Sequence, residues 1–145
     1  MEKRKVIGID YGTDSARAIL VDASNGNILS SASMVYPRWS KGKYCDSSAS
    51  SFRQHPKDHE EVLHFILNKV LEGCSCREDI AAIGIDTTAS TPALSDSDGI
   101  PLAALPEFED DPDAMFVLWK DHTGIKEAEE ITASGNSSGY CLRSA

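Results

Sequence analysis

The most constraining feature of this 145-residue chain lies at its start, where VIGID, YGTD and SARAILVD follow one another without a break. Val6 to Asp10 is a short apolar run closed by an acid, the pattern of a buried strand. Tyr11 to Ser15 is a polar turn containing Gly12. Ala16 to Asp22 resumes as a strand in which Ala16, Ala18 and Leu20 alternate with Arg17, Ile19 and Val21. Asn25-Gly26 then gives a strong hairpin signal, and Ile28 to Tyr36 supplies a third strand. Three strands joined by tight turns predict an antiparallel meander.

Downstream the pattern changes. Residues 37 to 55, rich in Pro, Ser and Gly, read as an excursion or loop. Pro56 suits a helix's first turn, and Asp58, Glu60 and Glu61 suit the positive end of its dipole. Leu63, Ile66, Leu67, Val70 and Leu71 recur at helical spacing before Gly73 closes the segment. Ile80 to Asp86 repeats the pattern of a buried strand ending in an acid. Thr91 to Ser95 and Leu102 to Leu105, around Ser97-Asp98-Gly99, predict a hairpin. Glu107 to Asp113 reads as an acidic surface loop, Ala114 to Trp119 as a strand, and Ile125 to Ile131 as a helix. From Ala133 onward no period remains, so residues 133–145 are expected to form an irregular tail.

Composition narrows the function classes. The 23 acidic and 14 basic residues leave a net charge of −9, which disfavours nucleic acid and anionic membrane as partners. A nucleotide remains compatible, because local dipoles and a metal ion can hold phosphates inside an acidic protein. The start, MEKRKVIGID, lacks the shape of a signal or transit peptide, and the cytoplasm is the expected compartment. Cys45, Cys74, Cys76 and Cys141 have no zinc-knuckle spacing and read as free thiols. His59 and His64 fall one position too far apart for a zinc-protease helix. Five residues turn a helix through roughly 140°, so both rings cannot face one metal.

Three segments have residues suited to chemistry. In Asp10 to Arg17, a strand delivers Asp10, Gly12 permits a close turn, and Thr13, Asp14 and Ser15 present hydroxyl and amide donors. Such a turn can aim donors at phosphate while Asp10 orients a hydrated Mg²⁺. An ordinary Gly-containing hairpin fits the local pattern equally well, and no Gly-Lys-Ser/Thr makes it a P-loop. In Ile83 to Pro92, small hydroxyl residues around Ala89 leave room for a polyol, or simply connect strands. In Leu118 to Thr123, LWKDHT, Trp119 offers a ring for sugar stacking or packs in the core.

Together and in order, these segments resemble the FGGY carbohydrate kinases, and within them the ribulokinase family. The resemblance runs from Val6 to roughly Thr132 and is carried by IGIDYGTDSARAILVD, YPRW (Tyr36 to Trp39), QHPKDHEEVL (Gln54 to Leu63), GIDTTASTP (Gly84 to Pro92) and DAMFVLWKDHT (Asp113 to Thr123). It implies an α/β fold: the RNase H-like N-terminal lobe of the actin-like ATPases, incomplete, whose mixed sheet begins with the three-stranded meander. Residues 1–132 would form this partial domain. By the same resemblance Asp10, Gly12, Thr13 and Ser15 face the transferred phosphate, and Asp10 holds Mg²⁺ through water. Thr88 and Ala89 fall at the first sugar loop, with Trp119 and Asp121 lining the approach.

The implied reaction is transfer of the ATP γ-phosphoryl to the 5-hydroxyl of L-ribulose, in pentose (arabinose) catabolism. The implied ligands are ATP, Mg²⁺ and a ketopentose. The family's catalytic Asp belongs to a later segment beyond residue 145, and SGNSSGYCLRSA departs from the family's continuation. A truncated or frame-shifted product is therefore expected, inactive alone, with the remainder of a kinase or a second copy as its protein partner.

Overall fold

The computed structural model describes residues 4–74 and 77–137. Strands β1 (Lys5–Tyr11), β2 (Ser15–Asp22) and β3 (Ile28–Val35) form the expected antiparallel meander. Gly26, at φ +77°, takes the left-handed conformation that the β2–β3 turn requires. The next long strand, β6 (Ile80–Thr87), lies parallel to β1 on its other side. Sheet order is thus β3-β2-β1-β6, mixed in direction.

Helix α1 (Pro56–Val70) supplies the crossover between β3 and β6. Its His55 cap accepts the Lys57 amide through Nδ1, with Pro56 in the first turn. The helix buries Val62, Ile66 and Val70 against Ile7 and Ile9 of β1 and Ala16, Ala18 and Leu20 of β2. The expected alternation along β2 therefore holds: its small inward residues let α1 approach closely. Leu63, Leu67 and Leu71 pack at the margin of this core.

Several expected boundaries shift. The 37–55 excursion contains β4 (Cys45–Asp46) and β5 (Ser51–Gln54), and β5 also pairs with a two-residue β7 (Phe116–Val117). The strand expected over 114–119 thus shrinks to its centre, because Ala114 ends a short 3-10 turn begun by Pro112. The hairpin expected across 91–105 reduces to one bridge, Ser95 to Pro101. Pro101 has no amide to donate, and Asp96 captures the amides of Asp98 and Ile100 for itself. Helix α2 (Ile125–Ser137) runs beyond the predicted Ile131 limit, and the last eight residues lie outside the description. Cys45 and Cys74 are thiols, whereas Cys76 and Cys141 fall outside the described residues. No helix among the described residues is long and apolar enough to cross a membrane.

Candidate phosphate turn and adjoining cavity

The turn between β1 and β2 is held by its carbonyl oxygens. The Tyr11 carbonyl accepts both the amide and the hydroxyl of Thr88, each at 3.0 Å. The Gly12 carbonyl accepts the Tyr36 hydroxyl at 3.1 Å, and the Thr13 carbonyl accepts Gln54 Nε2 at 2.6 Å. The Asp14 carbonyl accepts the Tyr36 amide at 3.1 Å. Tyr36 is wholly buried, Gln54 nearly so, and both bind the turn from the protein side.

A trans peptide is planar, with its C=O and N–H pointing in opposite directions. Four consecutive carbonyls engaged by the protein therefore constrain where the following amides can point. The Gly12 amide closes the turn onto the Ser15 carbonyl at 3.0 Å. The amides of Thr13 and Asp14 have no partner among the described residues, and peptide planarity turns each away from the carbonyl that Tyr36 or Gln54 holds. Gly12 matters for space, since a Cβ there would come within 3.3 Å of the Ser15 oxygen.

Asp10 ends up beside this turn, half-exposed, with Oδ2 accepting Arg17 Nε at 2.7 Å. Its register partner on β6 is Asp86, so two strand-end acids stand side by side. The Asp14 carboxylate accepts the Trp39 indole N–H at 2.7 Å, which joins the YPRW segment to the turn. Arg38 and Trp39 are in turn fastened to α1 through Asp58.

A cavity of about 310 Å³ opens between the turn and the β6 loop, lined by Gly12, Thr13, Thr87, Thr88, Phe116 and Leu118 among others. Of the expected sugar residues, Thr88 lines it, although its hydroxyl already serves Tyr11. Ala89 is exposed just beyond, before Ser90 in the left-handed region at φ 54°. Trp119 is 55% exposed, and its indole N–H reaches the Thr13 hydroxyl at 3.3 Å.

Asp121 is placed differently. Its side chain is 2% exposed, accepting the Phe52 amide at 2.7 Å and the Thr123 hydroxyl at 2.6 Å. Arg53 Nε lies 3.0 Å away, too far off-line to make a hydrogen bond. This carboxylate does not line the cavity beside the turn, and its contacts tie it to the β5–β7 corner.

Sequence reasoning gave no site role to Tyr36, Gln54 or His59. His59 lies on α1, stacked on Tyr36 at 4.6 Å between ring centroids, on Tyr11 at 5.6 Å, and edge-on to Phe116 at 4.9 Å. Burial pushes its pKa down to about 4, so the ring is neutral near pH 7. Burial also raises the Tyr36 hydroxyl well above the ordinary phenol range, which keeps it a donor to Gly12. His64, by contrast, lies exposed on another face of the helix.

No protein-family model matches the chain. Over 140 residues, 95% of this chain, it is 44% identical to the ribulokinase of Vibrio parahaemolyticus, of which it spans 25%. It is 32% identical over 145 residues to the ribulokinase of Halalkalibacterium halodurans, covering 96% of this chain and 26% of that relative. The chain thus spans about a quarter of the length of the curated relatives it matches. The gluconate kinase structure from Lactobacillus acidophilus superposes with a TM-score of 0.65 at 20% identity, over 95% of this chain and 23% of the other, a likeness of fold alone. In sequence the chain matches the ribulokinases of the FGGY carbohydrate kinase family, as a segment of about a quarter of their length, and it has the actin-like ATPase fold of sugar kinases.

Proposed function

We propose that this chain forms the phosphate- and sugar-facing part of a kinase that transfers the ATP γ-phosphoryl to the 5-hydroxyl of L-ribulose. The observation that carries this reading is the pair of outward Thr13 and Asp14 amides beside a threonine-lined cavity, in a chain 44% identical to a ribulokinase. Two fixed amides and the hydroxyls of Thr13 and Ser15 suit phosphate oxygens, and they need little reorganisation on binding. Trp119 offers an exposed ring to the apolar face of a sugar, beside Thr88 and Ala89.

The residues present also fit Mg²⁺. Asp10 is a half-exposed strand-end carboxylate with a second acid, Asp86, in register beside it. Magnesium binds through one or two carboxylates, keeps several waters and takes substrate phosphates as further ligands. Asp10 would hold it through water, and the ion would neutralise charge on the transferred phosphoryl group.

In this reading the group that accepts the sugar hydroxyl proton belongs to a segment of the kinase outside this chain, as does the other wall of the ATP cleft. The chain alone therefore positions ligands without completing the reaction. A coupled kinase assay on the purified chain with ATP, Mg²⁺ and L-ribulose is expected to show no turnover. Robust phosphorylation would overturn the inactivity, and calorimetry showing no heat with either ligand would overturn the site. A non-catalytic sugar- or nucleotide-binding lobe is the second reading, with the same turn and cavity as its binding site. Weak binding of ribulose or ATP that persists without any kinase partner would support it.

A further inference from the structure

The segment Gln54 to His59 stands out in the sequence, and its two end residues line the cavity beside the turn. The two side chains meet behind the turn: His59 Nε2 lies 3.1 Å from Gln54 Oε1, and Gln54 Nε2 lies 2.6 Å from the Thr13 carbonyl. A carbonyl only accepts, so the Gln54 NH₂ group must face Thr13 and its oxygen must face the ring. The neutral imidazole therefore keeps its proton on Nε2 and donates it to Gln54. Three aromatic rings clamp His59 in place.

We propose that Gln54 and His59 are positioning residues that set the direction of the Thr13–Asp14 peptide, and so aim the Asp14 amide outward. The inference rests on the reading of this turn as phosphate-facing, and it extends that reading to two residues on the protein side of the turn, at the wall of the cavity. His59 fixes which end of the Gln54 amide faces the turn. Gln54 in turn fixes the carbonyl of the peptide whose N–H belongs to Asp14. The relay needs a donor at position 54, so a carboxylate of the same shape should reverse it. With Gln54→Glu, two oxygens would oppose each other, and the peptide would flip to offer the Asp14 N–H inward.

Amide hydrogen exchange and ¹H–¹⁵N spectra of the full 145-residue chain, without ligand, test this. In the unaltered chain the Asp14 amide exchanges freely and His59 shows the Nε2–H tautomer. In Gln54→Glu, Asp14 exchange should slow at least tenfold while the core resonances stay in place. Unchanged Asp14 exchange in a folded Gln54→Glu chain would overturn the proposal. His59→Phe keeps a ring in the stack but removes the N–H. There the Gln54 side-chain amide and the Asp14 amide should both shift, and if neither moves the proposal fails even where Gln54→Glu does not fold. Titration with Mg²⁺-ATP forms a separate arm. A relay confirmed without ligand, but with no Thr13 or Asp14 response to Mg²⁺-ATP, overturns the phosphate reading and not the relay.

Discussion

The carboxylate of Asp58, fully buried on α1, gathers the backbone amides of Arg38 and Trp39 and the Arg38 guanidinium, at 2.8 to 3.1 Å. Glu61, one turn on, takes the remaining fork of Arg38. YPRW is thereby fastened to the helix, and through Trp39 and Tyr36 to the turn that carries the candidate site. Asp58→Ala would strand two amides and leave Arg38 with Glu61 alone. A loss of roughly 3–5 kcal/mol is expected. Urea unfolding measures it, and a loss below about 1 kcal/mol would show that the clamp contributes little.

Stability should fall as the solution is acidified below about pH 6.5. Burial lowers His59 to about 4, and burial likewise lowers His55, whose Nδ1 caps α1. A histidine whose folded pKa lies below its unfolded value binds more protons when unfolded. Its contribution is complete above about pH 6.5 and is lost as pH falls toward about 4. For His59 alone the full span corresponds to about 3 kcal/mol. Glu61 and Asp121, held low in the fold, lose their contributions only further into acid. Unfolding midpoints at pH 7.5 and 5.5 should differ, and His59→Phe should reduce the difference. Equal midpoints would contradict the burial of both rings.

These two cases also show which parts of the molecule were legible in the sequence. The meander was, because Ala16, Ala18 and Leu20 alternate and Gly26 sits where the turn demands a positive φ. The turn itself was legible as a donor-rich loop. Its support was not, since Gln54 acts on Thr13 across 41 positions and meets His59 across the start of α1. No local period records such a contact. The hairpin expected over 91–105 failed because turn residues predict a turn but not strands long enough to flank it. The contacts of Asp121 were hidden for a related reason. A strand-end acid beside a tryptophan resembles a ligand contact, and only the fold reveals that Arg53, Phe52 and Thr123 already engage it.

That placement of Asp121 gives its own prediction. Burial alone would raise its pKa, but hydrogen bonds from Thr123 and Phe52 and the charge of Arg53 outweigh this and lower it. Removing the carboxylate leaves Arg53, 10% exposed, with the Thr123 hydroxyl at 3.1 Å and, as its one acidic partner among the described residues, the exposed Asp113 at 3.8 Å. Asp121→Ala should therefore destabilise the chain by roughly 3–5 kcal/mol. Asp121→Asn, which can still accept from Phe52, should cost less. Thermal unfolding checks both, and an Asp121→Ala chain as stable as the parent would return Asp121 to the ligand-contact role.

The last prediction concerns β6. Ile83 and Ile85 share the register of Ile7 and Ile9, and so lie on the α1 side of the sheet. Yet they remain 55% and 64% exposed, because the α1 core is built on β1 and β2 and stops short of the outer strand. A parallel strand is ordinarily covered on both faces, and an open apolar edge invites pairing with another chain. Association at the β6 edge should therefore rise with protein concentration. Ile85→Lys adds a charge at the exposed position, should change folding stability by no more than about 0.5 kcal/mol, and should suppress the association. Light scattering across a concentration series, with urea unfolding in parallel, separates the two effects. Undiminished association in Ile85→Lys would place the self-contact elsewhere, and a large stability loss would mean that Ile85 is covered in solution.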